Sequence, residues 1–530
     1  MTAAMKHSVI STLRKMGLGL CASTLVGFVS GCLAPYGSPQ YGATLTGQQG
    51  YLFPSLAPAQ VQLPSFNGAP VELPVTATVI DTTQSVQPIG AQATGPADIA
   101  LLLAQPQYLT IQTQQHGLLS QVSAAYNRNQ GQPFWHDGTQ WLPAAQETIA
   151  VLRKARRHGL DPRQYLPQGQ PLPNYASSNP AAIAQSEIAL TSGLLRYIID
   201  VVEGRYAPQQ RLDPVSVFFD GASSGQYLAW LEGLTVDNWI YRRMSRAGDV
   251  QIDQLNGPAW DRFRVTMERL RWDAPDLPTN SRYVLVNIGS AEVWAMNGLR
   301  LDLGANAVIG RPSRSTPLRD DQITGLKFAP DWTAPYSIVE KDLVKFAQQD
   351  PNFINLMGVE ITRNGRRVDP FEINWNTINV RNYTFRQPPG PTNVLGGVRF
   401  NLVNSSSIYM HDSPDQGLFD DPFRAKSSGC IRVGAADELA LWLLQGDDPN
   451  WNMATVQERM RRSRSNNVQL SQAMPVKTIY TTAWVSHNGR LVTMPDAYGQ
   501  NNQLRARMGL PVERVSDDGL QNVSNIGDVF

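Results

Sequence analysis

Near Asn280 the hydrophobic period of the chain changes, and this constrains the fold more than any other feature. Before it, apolar residues recur at helical spacing. Ile149 and Leu152 lie in a helix expected over Gln146 to Arg157 and stopped at Gly159. Ile188, Leu195, Ile198 and Val202 form a second stripe, and Phe263, Met267 and Leu270 a third, behind Pro258 as a first-turn proline. After Asn280, Tyr283 to Ile288 and Glu292 to Met296 are apolar runs of strand length, and Asn297-Gly298 marks a tight hairpin. Val398 to Val403 and Ser407 to Met410 read as further strands, and Trp484 to Val492 as a hairpin around Asn488-Gly489. A chain of 530 residues exceeds one core. The expected class is α+β, a mainly helical scaffold domain followed by a β-rich domain.

The N-terminus reads as a targeting segment. Lys6, Arg14 and Lys15 precede an apolar run, Met16 to Val29, that is too short to span a bilayer comfortably. The run ends in Ser30-Gly31-Cys32, which resembles a bacterial lipobox with Cys32 as the lipidated residue. An ordinary signal peptide cut nearby is the alternative. Leu33 is not the Asp that the lipobox resemblance associates with inner-membrane retention. The expected location is the periplasm, with the chain anchored to the outer membrane. From Leu33 to about Gly95 the chain is rich in Pro, Gln, Gly, Ala and Thr, and no Lys or Arg occurs between Leu33 and Asn127. That composition buries too little apolar surface to fold and reads as a tether with a reach of ~45 Å. The expected divisions are 1–31 signal peptide, 32–95 tether, 96–279 scaffold, 280–505 catalytic domain and 506–530 tail. The interval 317–393, longer than a strand connection needs, is expected to be a capping insertion with a helix over Ile338 to Gln348.

Charge excludes some partners. Lys and Arg number 45; without the leader's three, 42 bases face 44 acids. Such a balance gives no field for nucleic acid. Cysteine is more informative. With Cys21 in the leader and Cys32 at its end, Cys430 is the one thiol of the folded body. In an oxidising compartment an unpaired cysteine is either buried and inert or kept for chemistry. His411, one of six histidines, precedes it by 19 positions at the end of an expected strand. A thiol needs a base or a positive field to attack, and His411 is the candidate thiolate–imidazolium partner. Gly429 would let a carbonyl approach the backbone, and the N–H groups of Gly429 and Cys430 are candidate oxyanion donors. Arg432 is a fixed charge near the thiol, able to raise its thiolate fraction or grip a substrate carboxylate. Asp412, Asp415, Asp420 and Asp421 lack metal-ligand spacing with these residues, so neither a metal nor a cofactor is expected.

Ser428-Gly429-Cys430-Ile431-Arg432, following His411, resembles the signature of the L,D-transpeptidase (YkuD) catalytic domain. Many members carry His where this chain has Ser428. Arg386-Gln387, Pro389-Gly390-Pro391, Asn393, Leu395-Gly396 and Ser407 to Asp412 resemble the large YcbB-type branch, as do Arg262 to Trp272 and Thr478 to Tyr498. The interval Gly204 to Trp260 shows no copy of the small peptidoglycan-binding module common in that branch. The resemblance implies a peptidoglycan tetrapeptide stem as donor and a second stem as acceptor. Cys430 would form a thioester at diaminopimelate with release of D-Ala, and a 3→3 crosslink would follow. It implies His411 as proton carrier, oriented by the Asp412 main-chain carbonyl. Tyr409, Gly429, Arg432 and Ser428 would serve the oxyanion or substrate, and Trp332, Tyr336 and Asn393 the cap. A carboxypeptidase using the same thioester and a non-catalytic wall-binding lipoprotein are the alternatives. A periplasmic activator or wall-synthesis partner is left unnamed.

Overall fold

The computed structural model describes residues 96–166, 172–403 and 408–515. Cys32, the leader and the tether lie outside the described residues. The chain divides into two compact units between Pro275 and Asp276, four residues before the boundary expected from the change of period.

The first unit is helical. Its main helices are α1 (Pro143–Arg153), α2 (Pro180–Val202), α3 (Trp239–Gln251) and α4 (Gly257–Trp272). Local chemistry starts them: Pro180 opens α2 behind Asn179, whose side chain accepts the Ala182 N–H. Asn238 caps α3 in the same way through Tyr241. The stripe residues Ile149, Leu152, Ile188, Leu195, Ile198, Phe263, Met267 and Leu270 are all buried. The helix containing Ile149 begins at Pro143, before the expected Gln146, and its last turn, Ala155–His158, tightens to 3₁₀ before Gly159.

The second unit is built on strands. β1 (Arg282–Asn287), β2 (Glu292–Asn297) and β3 (Arg300–Gly310) form a meander, and β4 (Asp321–Phe328) follows. The chain then makes a small four-stranded sheet from β5 (Trp332–Thr333), β6 (Glu360–Arg363), β7 (Arg366–Val368) and β8 (Thr384–Gln387), in the order β5-β8-β6-β7. It returns through β9 (Val398–Leu402), β10 (Met410–His411), β11 (Ala425–Ser427), β12 (Ile431–Val433) and β13 (Asn466–Ile479). The large sheet runs β11-β3-β12-β10-β9-β4-β13-β1-β2, and pairing of β2 with β3 closes it into a barrel. Closure gives β2 a second partner in place of an exposed edge, while β11 stays at the end of the order beside β3. Alternate residues point inward, among them Val284, Val293, Ala307, Ile323, Phe400, Met410, Ile431 and Val433. Helix α5 (Ala436–Gln445) adds Leu439, Leu443 and Leu444 to this core, each leucine being worth roughly 1.5–3 kcal/mol when fully buried. Helix α6 (Met453–Met460) contributes Val456.

Three expectations change. The insertion does not begin at 317, because Asp321–Phe328 is a barrel strand paired with β9 and β13. It begins after that strand and has its own core, from Trp332 to Leu395. Its expected helix is a helical run from Tyr336 to Gln349 with one π turn, Val339–Leu343. The strand expected over Ser407 to Met410 is only Met410–His411, and Ser407 lies outside the described residues. The chain after Arg505 is held as far as Glu513. Arg505 Nε donates to the Pro511 carbonyl at 2.6 Å and the Asp496 N–H donates to Glu513 at 3.0 Å.

Candidate active site

β10 and β12 run parallel, with Met410 opposite Ile431 and His411 opposite Arg432. The Ile431 N–H donates to the Tyr409 carbonyl at 2.9 Å, which carries the pairing one residue further back. Side chains alternate along a strand, so Met410 and Ile431 enter the core. By the same alternation Tyr409, His411, Cys430 and Arg432 belong to the opposite face. Cys430, immediately before β12, is thus one strand across and two residues back from His411 in the register. On the other flank, β9 sets Arg399 opposite His411.

His411 is buried. Its Nδ1 lies 2.5 Å from the Asp412 main-chain carbonyl. A carbonyl only accepts, so Nδ1 carries the proton and Nε2 keeps its lone pair. Burial first, then Arg432 and Arg399, push the imidazole down to about 3, against the opposing pull of the carbonyl. Cys430 is half-buried. Desolvation pushes its thiol above the ordinary 9.0, and a main-chain hydrogen bond from Tyr409 and the charge of Arg432 offset only part of this. The resting pair is therefore a neutral thiol and a neutral imidazole. The expected thiolate–imidazolium pair is disfavoured by desolvation and by two guanidiniums beside the histidine.

The same shifts set a pH window for stability. His411 has a folded value depressed from 6.5 to about 3. Below 6.5 the unfolded chain takes up a proton that the folded site resists, so stability is lost as pH falls toward 3. Cys430 has a raised value, so stability is also lost above 9.0, where the unfolded thiol ionises first. We expect a melting-temperature plateau between these limits. In calorimetric scans across pH the acid limb should be shallower in His411→Gln. Equal limbs in both proteins would contradict the assignment.

The thiol loop is fixed by side chains distant in sequence. Gly429 has φ +113°, which favours glycine, and a Cβ there would also sit 2.9 Å from Ile408 Cδ1, so the tip of that side chain would have to move. Ser427 Oγ accepts the Gly429 N–H at 3.1 Å and donates to the Cys430 carbonyl at 2.6 Å. Thr316 Oγ1 donates to the Gly429 carbonyl and accepts the Gly310 N–H, both at 2.9 Å. Tyr498 accepts the Thr316 N–H at 3.0 Å and donates to the Gly310 carbonyl at 2.6 Å. Ser428 accepts from Arg314 at 2.9 Å and from Arg311 at 3.3 Å. Arg314 also makes a bidentate pair with Asp342, at 2.5 and 2.8 Å, which ties the insertion's helical run to the thiol loop.

Several expected roles are corrected. The Gly429 N–H is engaged by Ser427 and is not an open oxyanion donor. The Tyr409 ring lies 4.9 Å from the Arg399 guanidinium, while its main chain serves the thiol. Arg432 is buried, so its charge acts as a field on His411 and Cys430 more than as a grip on substrate. Trp332 packs in the insertion's core. Asn393 is buried and clamps the proline-rich loop, donating to the Pro388 carbonyl and accepting the Leu395 N–H, both at 2.9 Å. Tyr336 is exposed, with Arg381 5.6 Å from its ring. Arg399, Thr316, Ser427, Tyr498, Arg314 and Asp342 were not singled out from the sequence. Only Arg399 had a signal there, as a cation on the expected strand Val398 to Val403.

Beside Asp412 opens a cavity of about 480 Å³, lined among others by Gly396, Gly397, Asp437, Arg461 and Arg462. The Asp412 carboxyl accepts the Gly397 N–H at 2.8 Å, and burial pushes its pKa up. Among the described residues, no group of three or more His, Cys, Asp or Glu is placed to hold a metal ion.

Residues 120–247 match the scaffold domain and residues 281–456 the L,D-transpeptidase catalytic domain, YkuD. A curated protein of Haemophilus influenzae, named "Putative L,D-transpeptidase", is 30% identical over 301 residues, covering 56% of this chain and 60% of that protein. The chain thus spans less than two thirds of this relative's length. A solved structure, the Ldtfm–avibactam carbamoyl enzyme, covers 38% of this chain and 49% of its own at 12% identity, with a TM-score of 0.19 that carries no structural inference. In chain order, a segment similar to the scaffold domain thus precedes one similar to the L,D-transpeptidase catalytic domain, YkuD.

Proposed function

We propose that the protein is a peptidoglycan L,D-transpeptidase that forms 3→3 crosslinks through a thioester on Cys430. The observation that supports this reading is the parallel β10–β12 register, in which Cys430 lies one strand across from His411, whose Nδ1 is held by a carbonyl. Because both groups rest neutral, His411 Nε2 takes the thiol proton as sulfur attacks the carbonyl between diaminopimelate and D-Ala. The C–S bond forms, the C–N bond breaks, and the proton passes to the departing D-Ala amine. An amine of a second stem then attacks the thioester, gives its proton to His411, and expels the thiolate, which recovers that proton. Arg399 and Arg432, opposite His411 on β9 and β12, would add positive field against charge developing on the carbonyl oxygen. The cavity beside Asp412, lined by Asp437 as well as Arg461 and Arg462, has the charges that complement a group bearing both an amine and a carboxylate, as diaminopimelate does. Lipidation at Cys32 would anchor the protein in the outer membrane, facing the periplasm and its wall.

Product mass spectrometry on disaccharide-tetrapeptide tests this reading. Dimers with a diaminopimelate–diaminopimelate link, absent with Cys430→Ala, are expected. Tripeptide without dimer would make the protein an L,D-carboxypeptidase, and turnover that survives Cys430→Ala would overturn the thioester.

A further inference from the structure

The helical unit holds a cavity of about 810 Å³ that the catalytic chemistry does not use. Its size is within the range of ligand sites, but its lining is unusually polar. Arg163, Arg196 and Arg205 line it together with Gln115, Gln164 and Gln210.

The charge balance at its wall is positive by one: Arg163 is matched by Asp161 at 2.7 Å, whereas Arg196 and Arg205 share a single carboxylate. Asp200 is fully buried and pairs with Arg196 and, at 2.7 Å, with Arg205. One carboxylate therefore faces two guanidiniums. Tyr165 donates to the same carboxylate at 2.7 Å, which fixes it in place. His116, also in the lining, reports this field. Burial lowers its pKa first, the Gln164 carbonyl opposes this, Arg205 and Arg196 lower it further, and Asp200 opposes them least. Arg196 Nε is buried and meets no protein acceptor, a donor of the kind that a bound acceptor satisfies. Arg205 is held in place by Gln164, at 2.5 Å, as well as by Asp200. At the mouth, Arg163 is largely exposed and Gln115 and Gln210 are exposed, while Ile111 adds an exposed apolar contact (73%). Guanidiniums read carboxylates, primary amides read hydroxyls and peptide groups, and a lone aliphatic side chain packs on a sugar or alkyl face.

We propose that this cavity is a second binding site, taking a carboxylate-bearing sugar-peptide, and that the ligand is a stem of the wall polymer on which the catalytic domain acts. The identity of that ligand rests on the proposed transpeptidase function; the carboxylate chemistry does not. Such a site would give the chain its own hold on the wall and keep a stem near the enzyme without consuming it.

The test uses the full chain with Cys430→Ala and a diazirine-labelled disaccharide-tripeptide, which lacks the fourth residue and cannot act as donor. Crosslinked peptides are mapped by mass spectrometry. Labelling is expected over residues 110–116 and 205–210. It should fall at least tenfold in Arg163→Gln/Gln115→Ala; both side chains are exposed, and losing the solvent-exposed Arg163–Asp161 pair should move the melting temperature little. The same double variant with Cys430 intact should turn over soluble tetrapeptide at the parental rate. Labelling confined to residues 276–515, or equal labelling by a probe with amidated carboxyls, would overturn the proposal. If wild-type protein fails to convert tetrapeptide while the helical labelling stands, the catalytic reading fails and the carboxylate site survives.

Discussion

His411→Ala should reduce transpeptidation by ~10²–10⁴-fold, the usual contribution of a positioned proton carrier, yet leave the alkylation of Cys430 by iodoacetamide nearly unchanged. The two outcomes separate because of the resting protonation state. Desolvation, Arg432 and Arg399 hold the imidazole down to about 3, and the thiol sits above its ordinary value. The histidine therefore does little for the thiolate fraction in the free enzyme and acts only as the attack proceeds. Alkylation rate against pH should rise with an apparent pKa above 9.0 in both proteins. If wild-type alkylation instead titrates below neutrality and His411→Ala moves that titration upward by units, the pair rests as thiolate and imidazolium, and His411 activates the thiol before any substrate arrives.

Gly429→Ala should both destabilise the catalytic domain and impair its chemistry. At φ +113° an alanine is strained, and its Cβ would press on Ile408 Cδ1 at 2.9 Å. Backbone strain of this kind costs ~1–3 kcal/mol. For a unit of this size that corresponds to a fall of roughly 2–4 °C per kcal/mol in melting temperature. Activity should fall further than stability does. Relief of the strain would shift the loop that Thr316 and Ser427 fix on either side of the thiol. Calorimetry and tetrapeptide turnover on the same sample check both halves. A variant with unchanged melting and unchanged turnover would show that the loop tolerates a side chain there.

The sequence by itself determined the change from helix to strand near Asn280, because period 3.6 and period 2 are written in local residue order. It also put His411 and Cys430 within one short stretch that resembles a family signature, and it named the Asp412 carbonyl through that resemblance. The tertiary structure decided what local order cannot encode. Arg399 comes beside His411 only through the β9–β10 register, and that proximity helps to make the resting imidazole neutral. Thr316 bonds the thiol loop and is itself held by Tyr498, 182 residues further along the chain. Trp332 and Asn393 looked like cap residues, but burial in the insertion's own fold gave them packing and clamping roles. The physical reason is common to all of these. Hydrophobic pattern sets which face of an element is buried, whereas the charges and hydrogen bonds that tune a site come from strands and loops that only folding of the sheets brings together.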